Sequence, residues 1–378
     1  MSQNTKIEWT DATWNPIRGC SRVSEGCRNC YAERVAARFS GIGQPFHGLA
    51  EMKVFGTIGS DVPDRVEPHW TGKVELIDDV LSAPLHWKKP RSIFVNSMSD
   101  IFHEKVNPEW IDRIFCTMAV CPQHTFQILT KRPAQMRDWF STGFRGNATS
   151  MYIEKALVSV FPKLSPMGIP AWPLPNVWLG VSVEDQKTAD ERIPLLLQTP
   201  AAVRWVSYEP ALGPVDLRAV HYENVTEIDS LTGDHGVYRP LAGKSERKIS
   251  WVVCGGESGP GARAMNPEWA RSARDQCQAA GVPFFFKQWG EWLNSSQLRP
   301  AFTDAELDRT TFRTVWRDGG PDPSSGKLYS RVGKKRAGRM LDGQEWNEYP
   351  VSRRDAELHK AGARSEGVRC RNLLHDKS

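Results

Sequence analysis

The 378-residue sequence predicts an α/β fold: a parallel sheet with crossover helices, closed as a partial or complete TIM-like (β/α) barrel or laid out as a doubly wound sheet. Two observations carry this expectation. Six short, β-branched apolar runs each give way to polar residues, the pattern of strands buried on both faces. Amphipathic helical stretches separate the runs, at roughly thirty residues per strand-helix unit.

In chain order, a weak first strand is expected through "ATWNPIRG", followed by a helix over "YAERVAARF". "SIFVNSMSD" (92–100) reads as a strand, and "NPEWIDRIFCTMAV" as a helix with Pro108 near its start. "TFQILTKRP" (125–133) leads into the helix "PAQMRDWF", and "NVWLGVSVED" (176–185) into "KTADERIPLLLQ". The strands "VRWVSYEP" (203–210) and "SWVVCGGESG" (250–259) follow, then the helix "NPEWARSARDQCQAAG" ending on Gly281, and the strand "VPFFFKQWGE" (282–291). Insertions stretch the spacing around 143–175, rich in Pro and Gly, and around 218–248.

Polar residues collect just after these strands: Asn96, Ser97 and Asp100; Thr130, Lys131 and Arg132; Ser182, Glu184 and Asp185; Ser207 and Glu209; Glu257 and Ser258; Lys287 and Gln288. Parallel α/β folds build their sites at that edge, so the set predicts a polar pocket.

The stretch "GCSRVSEGCRNCYAE" (19–33) holds Cys20, Cys27 and Cys30 on one loop between the first strand and the first helix. Cysteine thiolates suit zinc and iron-sulfur clusters, and backbone amides at a helix start favour negative charge beside them. A structural zinc site takes four protein ligands, whereas three cysteines on a four-iron cluster leave one iron open. Zinc completed by Cys254 or His47 is the competing assignment. Cys116, Cys121 and Cys277 read as core thiols on helices, and Cys370 lies in the tail.

Composition sets the frame. With 40% hydrophobic and 25% charged residues, and no apolar run near the roughly 18 to 20 residues a membrane helix needs, a globular cytoplasmic protein with no membrane partner is expected. Its "MSQNTKIEWTDATWNP" start lacks an apolar signal region. Eight cysteines in a reducing compartment argue for metal or catalysis before disulfides, and a net charge of +5 leans towards an anionic partner.

The series "KIEWTDATWNPIRGCSRVSEGCRNCYAER", "FVNSMSDIFH", "LTKRP", "WLGVSVEDQ", "SYEPALGP", "GGESGPGARAMNPEW" and "FFFKQWGEW", with "GKKRAGRMLDGQEWNEYP" (333–350), resembles the phage-associated three-Cys-motif family. That family in turn resembles radical SAM enzymes, including the DNA-repair enzyme spore photoproduct lyase. The resemblance implies a partial barrel of radical SAM type, a 4Fe-4S cluster on Cys20, Cys27 and Cys30, and S-adenosylmethionine at the open iron. Two departures stand out: the gap between Cys20 and Cys27 is six residues where radical SAM enzymes mostly have three, and Tyr31 follows the third cysteine instead of an aromatic preceding it. The "GGE" of Gly255, Gly256 and Glu257 also ends a late strand rather than the second.

Other candidates surround this centre. "CGGESGPGARAM" is a glycine-rich strand-to-helix loop that either approaches a ligand closely or makes a tight turn, with Glu257 and Arg263 facing any ligand. Lys131 and Arg132 suit a phosphate clamp, Lys287 with Trp289 a charge beside a stacking face, and Glu184, Glu209 and Asp100 ribose hydroxyls or a proton. Each is equally suited to an inter-loop ion pair. The basic run 327–339 suits either phosphate contact or plain solvation.

The resulting expectation is a radical-SAM-like iron-sulfur enzyme acting on nucleic acid or a nucleotide-derived substrate, in DNA repair or modification. The alternative is a zinc-stabilised nucleic-acid-binding protein without redox chemistry. Expected partners are DNA or RNA and, for redox work, an electron donor. The barrel is expected over 1–295, a basic extension on or near it over 296–350, and a mobile tail over 351–378.

Overall fold

The computed structural model describes residues 5–55, 65–141, 172–222, 226–234, 247–301, 303, 313–317 and 327–350. Most of the insertion around 143–175, about half of the one around 218–248, Cys370 and the tail from 351 lie outside the described residues.

Seven described strands form one parallel sheet: β1 (Ala12–Trp14), β2 (Ser92–Val95), β3 (Thr125–Thr130), β4 (Val177–Val183), β5 (Val203–Tyr208), β6 (Trp251–Gly255) and β7 (Phe284–Gln288). Their order in space is their order in sequence, each strand adding on the same side. A doubly wound sheet reverses direction from an interior strand, so this winding is that of a barrel. No pairing joins β1 to β7 among the described residues, and the barrel is a half-barrel.

Five helices cross between strands: α1 (Tyr31–Arg38), α2 (Pro108–Ala119), α3 (Pro133–Ser141), α4 (Gln186–Gln198) and α5 (Pro267–Ala279). The repeated "NPEW" starts α2 and α5 by one device. Asn107 and Asn266 accept from the Glu109 and Glu268 amides at 3.0 and 3.1 Å, and the proline behind each cap forgoes an amide that would have no helical partner. Asp185 and Thr188 form a reciprocal capping box on α4.

Both faces of the strands are buried, which is why they read as nearly continuous apolar runs. The outward residues, among them Ile93, Ile128, Val181, Val206, Cys254 and Phe286, join the large core shared with the helices. The inward residues divide by height. At the amino-terminal ends, Trp178, Trp205, Trp251 and Phe285 meet Trp9, with Trp9 and Trp205 ring centroids 5.2 Å apart and edge-on. At the carboxyl ends the inward positions become Ser182, Ser207, Glu209 and Lys287, which line a cavity. An aromatic floor therefore closes one end of the half-barrel and leaves a polar pocket at the other.

Several elements lie outside this repeat. Ala50–Phe55 and Arg65–Trp70 pair as an antiparallel ribbon against α1. Trp292–Asn294, Lys327–Arg331 and Arg313–Arg317 form a three-stranded antiparallel sheet. The segment 344–349 runs antiparallel along β7: the Phe286 amide donates to Trp346 O at 3.0 Å and the Glu348 amide to Phe284 O at 3.2 Å. Tyr349 at its end stacks on Trp251 at 5.4 Å. This strap covers a sheet edge whose amides and carbonyls would otherwise stand open. Among the described residues, no helix is long and apolar enough to cross a membrane.

Candidate functional site

The cysteine loop and the strand ends enclose a cavity of about 290 Å³. Cys20, Cys27 and Cys30 line it together with Asp100, Lys131, Glu209, Gly256, Glu257 and Lys287. Glu184 and Gly255 stand just behind the wall: Glu184 carries Lys131, and a Cβ on Gly255 would come 2.6 Å from Glu209 Oε1.

The long gap between Cys20 and Cys27 is tied down almost residue by residue. Ser21 O and Oγ accept from Arg132 at 3.1 and 2.7 Å. The Lys105 amide donates to His103 Nδ1 at 3.1 Å, which leaves Nε2 to donate to Ser21 Oγ at 2.9 Å. Arg22 donates to the fully buried Glu33 of α1 at 2.9 and 3.0 Å and to Pro68 O at 3.0 Å. Ser24 donates to Glu184 at 3.0 Å, and Arg263 donates to Glu25 O at 3.0 Å. Gly26 lies so close to Glu184 that a Cβ would sit 2.4 Å from Oε1. Beyond Cys27, Asn29 Nδ2 donates to Glu257 at 3.0 Å and to Gly261 O at 2.7 Å. Val23, 45% exposed, points outward. Six intervening residues thus act as a braced platform rather than slack.

Four carboxylates around the cavity, Asp100, Glu184, Glu209 and Glu257, are each paired with a cation. Glu184, with a side chain 1% exposed, takes Lys131 and also Arg192 of α4 at 3.1 Å. Burial raises its carboxyl, but the two cations outweigh burial and hold it below the usual carboxylate range. Burial likewise raises Glu257, and hydrogen bonds from Arg263 and Asn29 bring it below its ordinary value. Asp100 accepts from Thr130 Oγ1 at 2.8 Å, from the Lys131 amide at 3.1 Å and from Arg132 at 3.2 Å. Lys287 pairs with Glu209 at 3.0 Å. Acid and base therefore alternate around the rim with their charges internally matched.

The glycine-rich loop makes its close approaches to the protein itself. A Cβ on Gly256 would meet Trp289 O at 2.0 Å, so that turn is shaped by the chain just beyond β7. Trp292 Nε1 donates to Ala262 O at 2.7 Å and Arg331 to Gly259 O at 2.9 Å, which seats the loop on the three-stranded sheet. Three of the basic residues in 327–339 are likewise engaged: Arg331 with Glu291, Lys334 with Glu8 at 3.1 Å, and Arg339 with Asn347 and Glu345.

The donor set suits a soft metal or a cluster. The three cysteines are free thiols on one braced loop facing one cavity. Burial, with Asp100 nearby, pushes the Cys20 thiol up to about 12, and burial raises Cys30 against the opposing effect of the Glu33 and Ala32 amides. Loading such a site releases these protons. Among the described residues, no three His, Cys, Asp or Glu side chains converge on a point that would hold a single ion. Cys254 belongs to the outer core, on the face of β6 opposite Gly255, and His47 is exposed with Nδ1 3.3 Å from Ser40 O. Neither stands as a fourth ligand.

Sequence reasoning did not single out Arg192, Asn29 or Glu33, which brace the site from helices and from the loop itself. Arg192 had a signal: an arginine eight residues after Glu184, on the helix that Asp185 caps, faces back towards the strand end. Trp9 also escaped, being one of fifteen tryptophans in the chain.

No curated protein and no solved structure matches this sequence. A family described as "Protein of unknown function (DUF5131)" matches residues 4–350, a span holding the cysteine loop, all seven strands and the strap along β7. The chain belongs to that family.

Proposed function

We propose that the chain is a radical-SAM-like iron-sulfur enzyme acting on nucleic acid or a nucleotide-derived substrate. One observation carries the reading: three free cysteines on one braced loop face a single cavity at the carboxyl edge of a parallel half-barrel. A four-iron cluster bound by Cys20, Cys27 and Cys30 would supply the electron for reductive cleavage of S-adenosylmethionine. Thiolates around one zinc ion crowd a single point, whereas each cysteine of a cluster binds a different iron. Neither Cys254 nor His47 lines the cavity, so a four-ligand zinc site lacks its fourth protein ligand there, which favours a cluster with one open iron.

The protein's own residues do the rest. Ser21, Arg22, Ser24, Glu25 and Asn29 hold the loop, and the aromatic floor keeps bulk water from the lower half of the pocket. The Lys131–Glu184 and Lys287–Glu209 pairs leave the wall nearly neutral. Such a wall favours a base or sugar within the cavity, with phosphates outside. Ser182 and Ser207 line it with hydroxyls that donate to Glu209 O at 3.0 Å and to Glu209 Oε2 at 3.5 Å, which helps fix that carboxylate beside the substrate space.

The test is anaerobic reconstitution with iron and sulfide, followed by dithionite and S-adenosylmethionine. Formation of 5′-deoxyadenosine is expected. An intact cluster that yields none removes the S-adenosylmethionine part, and stoichiometric zinc in place of iron removes the enzyme reading.

A further inference from the structure

Arg132 belongs to the "LTKRP" motif and suits a phosphate clamp when read from sequence, yet its side chain is 5% exposed and turned inward. Its donors are all engaged. Nε donates to Glu104 at 2.9 Å and Nη1 to Asp100 at 3.2 Å, while Nη2 donates to Ser21 O and Oγ at 3.1 and 2.7 Å. Nη1 also donates to Cys20 Sγ at 3.9 Å. Among the described residues, Cys20 is the cysteine of the three whose sulfur takes a hydrogen bond from a buried cation. A guanidinium held on two carboxylates, a backbone carbonyl, a hydroxyl and a sulfur has no donor left for phosphate.

We propose that Arg132 is a positioning residue that fixes Cys20 and, through its hydrogen bond to that sulfur, raises the reduction potential of the cluster; the inference rests on the iron-sulfur reading above. An N–H donated to a cysteine sulfur draws charge from the metal and stabilises the state holding one more electron. The effect is strongest with little water nearby, as at this 5%-exposed side chain. Asp100 remains beside the site when Arg132 is replaced, so loss of the cation and survival of the anion push the potential the same way.

The experiment compares full-length wild type, Arg132→Lys and Arg132→Leu after anaerobic reconstitution. Folding is read by circular dichroism, loading by iron and sulfide content, and the one-electron couple by EPR-monitored titration with dithionite. At a fixed potential, the ratio of reduced to oxidised cluster is expected to fall about tenfold in Arg132→Leu, or about 59 mV, and about threefold in Arg132→Lys. A folded Arg132→Leu protein that loses iron supports the positioning half, and Arg132→Lys then decides the potential. Should Arg132→Leu fail to fold, Arg132→Lys carries the test. Full iron with a wild-type midpoint in the folded variants overturns the role of Arg132 while leaving the iron-sulfur reading intact. A wild-type protein that takes up no iron overturns both.

Discussion

Replacing Gly26 by alanine tests whether the cysteine loop is seated on Glu184. The new methyl carbon would lie 2.4, 2.6 and 2.7 Å from Oε1, Cγ and Cδ of that side chain, about 1 Å inside ordinary contact. Glu184 has little freedom to yield, because Lys131, Arg192 and Ser24 all hold it. Two responses are open: the loop lifts, or the buried ion network breaks. Overpacking costs about 1–3 kcal/mol and breaking a buried pair about 3–5 kcal/mol, so the loop should lift at about 1–3 kcal/mol. Urea unfolding of Gly26→Ala, Glu184→Ala and the double variant gives the coupling. In the Glu184→Ala background all three clashing atoms are gone, and Gly26→Ala, at a helical position without positive φ, should be neutral or stabilising by a few tenths of a kcal/mol. A coupling of about 1–2 kcal/mol is expected, and additivity within about 0.5 kcal/mol would refute the seating.

Two further outcomes follow from the same geometry. Cys27→Ala should abolish iron uptake, whereas Cys254→Ala, which empties a site in the outer core, should keep it and lose about 1–2 kcal/mol of stability; equal iron loss in both would be inconsistent with the outward face of Cys254. Burial lowers the pKa of His124, whose folded form therefore resists protonation, so its contribution is full above the unfolded value of about 6.5 and declines as pH falls through the folded one. The urea midpoint should drop between pH 7 and 5, with His103, also lowered by burial, contributing beside His124, and should drop less in His124→Gln, with a second loss below about 4.5 as Glu184 and Glu257 protonate. An unchanged slope in His124→Gln would assign the first loss elsewhere.

Much of the fold is legible in the sequence because two-sided burial leaves an unambiguous trace: "NVWLGVSV" has no solvent face and reads as a strand without alternation. Two of the helices, α2 and α5, announce themselves through Asn-Pro caps. The ribbon Ala50–Phe55 is illegible for the opposite reason, since five of its six residues are exposed and no apolar face marks it. At the site, strand ends place Lys131, Glu184, Glu209 and Lys287 on one rim, but pairing is a property of space: Arg132 reaches Cys20 across 112 positions and Asn29 reaches Glu257 across 228. The outward face of Cys254 was available from strand parity, because Gly255 beside it must point inward. The glycine-rich loop misleads in the other direction, its close approach at Gly256 being to Trp289 rather than to a ligand.

The strap along β7 also imposes an order in time. Gln288 ends the last strand of the sheet, and the segment that covers its edge finishes at Tyr349, about 60 residues later in synthesis. At roughly 5–20 residues per second, the nascent half-barrel carries an open edge for on the order of 3–12 s. Through that interval the backbone groups of Phe284 and Phe286 are available to any passing strand. The vulnerable moment of this chain falls late in its own synthesis, after the core strands have been made.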